Sequence, residues 1–137
     1  MVEITKNVIP IEDIINSVRN DASGGIIAYI GLIRDNSNEK KVASVEYGDT
    51  DGKAKAKLEK IVKEVREKWP VNDIAMVHRV GKLNVGDNNL VIAVSTGHRQ
   101  EGFAACQYAI DKFKEHLPTT KKETYTDGTC LDHKPEK

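Results

Sequence analysis

The chain has 137 residues, with 21 Lys and Arg against 21 Asp and Glu, a length that suits one domain of ordinary size rather than two. Hydrophobic residues make up 39% and charged residues 31%, with a mean hydropathy of -0.49, which argues against a disordered chain or a membrane-spanning one. A formal net charge of zero excludes the broad basic field of a general nucleic-acid binder, so any anion site must be local.

Ile11, Ile14, Ile15 and Val18 recur at helical spacing, predicting a short amphipathic helix from Pro10 to Asn20 that the Asp21-Ala22-Ser23-Gly24-Gly25 stretch breaks. The run from Ile26 to Ile33 is apolar at almost every position, the pattern of a central strand buried on both faces, and it closes in the polar turn Arg34 to Asn38. Lys41 to Tyr47 reads as a second strand with imperfect alternation. Beyond a turn at Asp49 to Gly52, residues Ala54, Leu58, Ile61, Val62, Val65 and Trp69 line one face of a helix ending before Pro70. Lys53, Lys55, Lys57 and Lys60 fall on its solvated side, and the pairs Glu59 with Lys63 and Glu64 with Lys68 support the helix without implying a ligand.

Asp73 to Val80 and Leu90 to Ser95 are predicted strands, separated by a segment from Gly81 to Asn88 that allows either a tight turn or a short strand. Gly97 opens the last helix. There Phe103, Cys106, Ile110, Phe113 and Leu117 form a stripe at spacings of three and four, predicted to face the core and to stop at Pro118. The chain beyond Pro118 is polar, with Asp127-Gly128 as a turn and room for one strand, and residues 124–137 are expected as a poorly determined tail. This mixed order of helices and strands predicts an α+β fold over a single domain, residues 1–137.

Cys106 and Cys130 lack the spacing of a zinc site or a disulfide framework, and His78 and His116 have no ligand partner one helical turn away. Cys106 is expected as a core filler, Cys130 as a free thiol and both histidines as structural, with no metal and no cofactor. The N-terminus lacks the pattern of a signal peptide, so the expected location is cytoplasmic.

Three basic loci sit where elements end and side chains reach ligands. Arg34 closes an apolar strand, where its guanidinium is free to grip an anion through two nitrogens. His98 and Arg99 begin the last helix, beside free backbone N–H groups and the positive end of the helix dipole. Lys114 ends that helix, and Lys121 and Lys122 follow a turn that can bring them back toward it. Crowded ammonium groups destabilise one another's charge, which frees an amine for nucleophilic or proton-transfer work. Arg99 and Lys114 are fifteen positions apart on one predicted helix, about 22 Å. One small ligand cannot touch both unless a second copy of the chain sets its helix start beside the first copy's helix end, which predicts a twofold dimer with shared pockets.

Several stretches together resemble the large, catalytic subunit of molybdopterin synthase: Gly25 to Arg34, the helix end Arg66-Glu67-Lys68-Trp69-Pro70, the strand Val77-His78-Arg79-Val80-Gly81, Ser95-Thr96-Gly97-His98-Arg99 and Pro118-Thr119-Thr120-Lys121-Lys122-Glu123. The resemblance implies an α/β-hammerhead fold with a small antiparallel β subdomain. It also implies a homodimer of large subunits within a heterotetramer completed by two small ubiquitin-like sulfur-carrier subunits. In such an enzyme the carrier's C-terminal Gly-Gly thiocarboxylate gives sulfur to cyclic pyranopterin monophosphate, and two transfers make the dithiolene of molybdopterin. By position, Lys114 and Lys121 would be the catalytic lysines. Arg34, His98 and Arg99 would hold the phosphate or carboxylate, with His98 and Arg99 coming from the opposite subunit, and Lys122 and Glu123 would complete the substrate-binding segment. Sulfur arrives on the carrier, so such a sulfurtransferase needs no catalytic cysteine. The sequence departs from the family pattern at Leu32, where lysine is usual, at Gly48 to Lys53, and at Thr120, where an aromatic residue is usual. A non-catalytic carrier-binding module of the same fold is the alternative that stays open from the residues; a small nucleic-acid binder fits worst, given 5% aromatic residues.

Overall fold

Strands apolar on both faces need cover on both faces, and that requirement sets the layers of this protein. In the computed structural model, which describes residues 1–133, the elements run β1 (Val2–Thr5), α1 (Ile11–Ser17), β2 (Gly25–Leu32), β3 (Asn36–Ser37), β4 (Lys40–Gly48), α2 (Ala54–Lys68), β5 (Val71–Arg79), β6 (Gly81–Asn84), β7 (Asn88–Thr96), α3 (Arg99–Glu115), β8 (Thr120–Tyr125) and β9 (Cys130–His133). A four-stranded sheet has the order β1-β5-β7-β2, with β1 parallel to β5 and the remaining pairs antiparallel. A second, wholly antiparallel sheet is built from β3, β4, β8 and β9, with β6 also paired to β4. The result is the expected α+β architecture with its antiparallel subdomain.

Alternate residues of β5 and β7 divide between two cores. Ile74, Met76, Leu90, Ile92 and Val94 point at α2 and α3, where Leu58, Val65, Ala105 and Phe113 meet them. Ala75, Val77, Val91 and Ala93 point the other way, onto Ile14 and Val18 of the α1 region. A third cluster joins Ile33 and Val80 to Val45, Tyr47, Leu83 and Tyr125 of the second sheet. Among the described residues no helix is long and apolar enough to cross a membrane.

Three expectations need revision, one element went unpredicted and one open choice is resolved. The Ile26 to Ile33 run does not form a central strand: β2 lies at the edge of its sheet, paired among the described residues only with β7, and Ile30 and Leu32 are 37% and 58% exposed. Its apolar character therefore exceeds what the protomer buries. Phe103 leaves the predicted core stripe and is 58% exposed, because α3 approaches the sheet through Gly102, where a Cβ would stand 3.0 Å from Ile27 and 2.9 Å from Thr96. That contact turns the buried face to Gly102, Ala105, Cys106, Ala109 and Phe113. The short N-terminal strand β1 gave no periodic signal because four residues hold only two apolar positions. Much of the expected tail is paired: β8 ends at Tyr125 and β9 occupies Cys130–His133; the tail's remaining residues, 134–137, lie outside the described residues. Gly81 to Asn84 is the short strand, not a turn alone.

Candidate active site

The chain passes from one sheet to the other just after β2, through buried Ile33 and exposed Arg34, and a cleft of about 800 Å³ opens there. Three of the expected cationic residues, Arg34, Lys114 and Lys121, line it, together with Glu123. They come from the end of β2, the last turn of α3 and the first half of β8. Alternation along β8 decides which of its residues face the cleft, since side chains on a strand point to opposite faces in turn. Lys121, Glu123 and Tyr125 face inward, opposite Tyr47, Val45 and Val42 of β4.

Lys121 and Glu123 are a prearranged pair. The Lys121 Nζ lies 3.2 Å from Glu123 Oε1, and Tyr125 donates its hydroxyl hydrogen to Glu123 Oε2 at 2.6 Å. Asn38 donates to the Tyr125 hydroxyl at 3.1 Å, which ties the β3–β4 hairpin to this carboxylate. Burial on its own would raise the Glu123 pKa, but hydrogen bonds from Tyr125, Ser37 and Lys121 outweigh it and hold the carboxyl below its ordinary value. The carboxylate stays ionised and fixes where the Lys121 ammonium stands.

Lys114 is placed differently. Its Nζ lies 5.8 Å from the centre of the Tyr29 ring, a cation–π approach that leaves the charge uncompensated, and among the described residues no carboxylate pairs with it. Beneath the cleft, His78 is wedged edge-on between the rings of Tyr47 and Phe113 at 4.8 and 4.9 Å. Its two ring nitrogens meet the Asn89 carbonyl at 2.8 Å and the Thr119 hydroxyl at 3.0 Å. Burial drives the His78 pKa down to about 4, against smaller opposing effects of the Asn89 carbonyl and Asp49, so this ring is a neutral strut, the structural role expected for it. His116 stands at the C-terminal end of α3, 3.8 Å from Glu115. Cys106 is a core residue as expected, its thiol pushed up to about 11 by burial.

The remaining expected residues lie elsewhere. His98 stands at the N-cap position of α3 and Arg99 is its first residue, so about 22 Å of helix axis separates Arg99 from Lys114; neither lines the cleft of its own protomer. Lys122 points to the opposite face of β8, in register with Glu46 and Asp132, so the three lysines do not crowd together as their spacing suggested. Residues that the sequence did not single out also line the cleft, among them Tyr29, Tyr47, Asn89 and His133. Tyr47 and His133 flank Lys121 across the two ladders of β8, a placement legible only once strand register is known. Two departures from the family pattern meet in one contact: Gly48 is in register with Thr120, whose hydroxyl donates to the Gly48 carbonyl at 3.1 Å. A Cβ at Gly48 would stand 2.7 Å from that hydroxyl oxygen, so a side chain at Gly48 would displace the Thr120 hydroxyl.

Chemically, the cleft can accept an anion and stabilise negative charge that develops on it, with one cation held by a carboxylate and two others without a carboxylate partner among the described residues. Among the described residues no group of three or more His, Cys, Asp or Glu side chains is arranged to hold a metal ion.

Comparison with known proteins gives this geometry a context. The family model described as MoaE protein matches residues 4–116. The molybdopterin synthase catalytic subunit of Bacillus subtilis is 39% identical over 126 residues, covering 92% of this chain and 80% of that protein. A crystal structure of molybdopterin synthase from Staphylococcus aureus superposes with a TM-score of 0.88 at 33% identity, over 96% of each chain. A complex of subunits 1 and 2 of the molybdopterin-converting factor of Helicobacter pylori shares the fold, with a TM-score of 0.72 at 15% identity over 94% of this chain and 87% of that one.

Proposed function

From a chain that belongs to the MoaE protein family, we propose a catalytic subunit of molybdopterin synthase. It is a cytoplasmic sulfurtransferase that passes sulfur from a thiocarboxylated small carrier subunit to cyclic pyranopterin monophosphate. The observation that carries this reading is the convergence of Arg34, Lys114 and Lys121 on one cleft from three distant parts of the chain. A thiocarboxylate tail and a cyclic phosphate are both anions, and a cleft lined by three cations offsets their desolvation. Arg34 supplies a planar, bidentate grip suited to a phosphate or carboxylate. Lys114, without a carboxylate partner, stabilises the negative charge that develops as sulfur attacks. Lys121, held by Glu123, acts from the opposite wall.

The second copy of the chain enters through β2. An edge strand presents unpaired backbone groups, and here it also exposes Ile30 and Leu32, with Phe103 exposed on the helix beside it. Pairing two protomers across this edge covers that apolar surface and supplies the cleft of one copy with His98 and Arg99 of the other. Two large subunits so joined, each with one carrier, make the heterotetramer.

The test is reconstitution. Mixed with its thiocarboxylated carrier and cyclic pyranopterin monophosphate, the protein is expected to yield the dithiolene product. Carrier binding without product would replace this reading with a non-catalytic carrier-binding module. In sedimentation at micromolar concentration a dimer is expected; a monomer alone would remove His98 and Arg99 from the pocket.

A further inference from the structure

We propose that Tyr47, with its hydroxyl turned by Asn89, is a further ligand-contacting residue of the cleft, donating a hydrogen bond to an anionic oxygen or sulfur held there by the cations. The inference rests on the reading of the cleft as a receiver of anions, and it adds a directional contact to a set of charges.

Tyr47 lies on the inward face of β4, directly across from Lys121, and lines the cleft although only 4% exposed. Its ring stands edge-on to His78, which is itself held at both nitrogens, so the phenol is fixed in place. The hydroxyl oxygen accepts a hydrogen bond from Asn89 Nδ2 at 3.0 Å. Its own hydrogen then meets no acceptor among the described residues. Two other tyrosines behave differently: Tyr108 donates to Glu64 at 2.8 Å and Tyr125 to Glu123 at 2.6 Å.

Asn89 is set in position by the backbone around it. The β2–β7 ladder slips between Gly31 and Leu32, so that Gly31 pairs with Leu90 and Leu32 with Asn88; Asn89 is the extra residue of a bulge, a device that re-aims a side chain. Its amide oxygen lies where a Cβ on Gly31 would be 2.5 Å away, and that oxygen is buried without a hydrogen-bond partner. A buried acceptor without a partner is destabilising. The opposite orientation of the amide would satisfy it by taking the Tyr47 proton; with the amide nitrogen on the phenol, the proton is available to a ligand. Burial, joined by the charges of Glu123 and Tyr29 and only partly countered by Asn89, pushes the Tyr47 phenol above its ordinary pKa. Tyr47 is thus a neutral donor throughout the physiological range. Lysines attract an anion as point charges, whereas a donor fixed in direction selects which atom of it lies at one spot.

Two anions are available under the proposed function, the carrier's C-terminal thiocarboxylate and the phosphate of the pterin precursor, and separate binding measurements distinguish them. Calorimetry on the full chain with the thiocarboxylated carrier forms one arm, and cyclic pyranopterin monophosphate forms the other. Tyr47→Phe keeps the ring against His78 and is expected to weaken one arm about tenfold, the weakened arm naming the acceptor, with the kinetic loss falling on KM rather than kcat. Asn89→Ala, a change in a positioning residue, is expected to weaken the same arm. The double variant should be no worse than Tyr47→Phe alone, because Asn89 acts only through the hydroxyl. Unchanged affinity in both arms for Tyr47→Phe, or losses that add in the double variant, would overturn the proposal while leaving the function intact. A wild-type protein that binds neither ligand would overturn both.

Discussion

The inward faces of β7 and β8 show how one chain separates stability from chemistry. Along β7, Leu90 to Val94 are buried without exception between α1 on one side and α2 and α3 on the other. Along β8, inward positions carry Lys121 and Glu123 as well as Tyr125. A strand covered on both faces has no route to water, so a polar group there must be neutral and fully bonded, as His78 is. A strand that faces a cleft can carry charge: Lys121 stays partly exposed there, and the buried Glu123 is kept ionised by its hydrogen bonds and by that lysine.

The comparison predicts that damage on the cleft side appears in turnover and damage on the covered side in stability. Lys114→Ala should lower kcat by about 10²- to 10³-fold while carrier binding persists; full activity in that variant would shift the chemistry onto Lys121. Ile92→Ala, at a fully buried position, should cost about 2–5 kcal/mol in urea unfolding and leave activity per folded molecule unchanged, and a loss below about 1 kcal/mol would mean that this core is looser than its burial implies.

His78 gives the covered sheet a pH signature. Its folded pKa of about 4 lies below the ordinary 6.5, so between these values the unfolded chain binds a proton that the folded chain refuses. Its contribution to stability is therefore complete above pH 6.5 and is lost as the pH falls toward 4, about 3 kcal/mol over the window. His78→Gln should flatten the slope of unfolding free energy against pH in that window, and an unchanged slope would assign it to other groups. The smallest effect belongs to Lys122→Ala: on the outward face of β8, its loss should change turnover by less than about twofold, and a larger drop would mean that both faces of the strand serve the ligand.

Much of this architecture can be read directly from hydrophobic spacing. The helices α2 and α3, the strands β2, β4, β5 and β7 and their order follow from periodicities of 3.6 and 2. The motif blocks around Arg34, His98-Arg99 and Lys121 point to the family. Other features depend on contacts that spacing does not contain. Phe103 kept the core spacing yet faces out, because Gly102 sets the rotation of α3 against Ile27 and Thr96. The β2 run looked central because hydrophobicity alone does not say whether the cover comes from the same chain or another copy.

The linear order of residues determined which segments become helices and strands, which residues carry positive charge at their ends, and the family to which the chain belongs; these rest on local periodicity and short blocks of residues. Only the tertiary structure decided that Lys121 faces the cleft and Lys122 does not, that Glu123 holds the first of them, and that Tyr47 and Asn89 stand beside it. The reason is register: a slip of one residue in the β4–β8 ladder would exchange the two faces of β8, and register is set by packing between strands far apart in the chain.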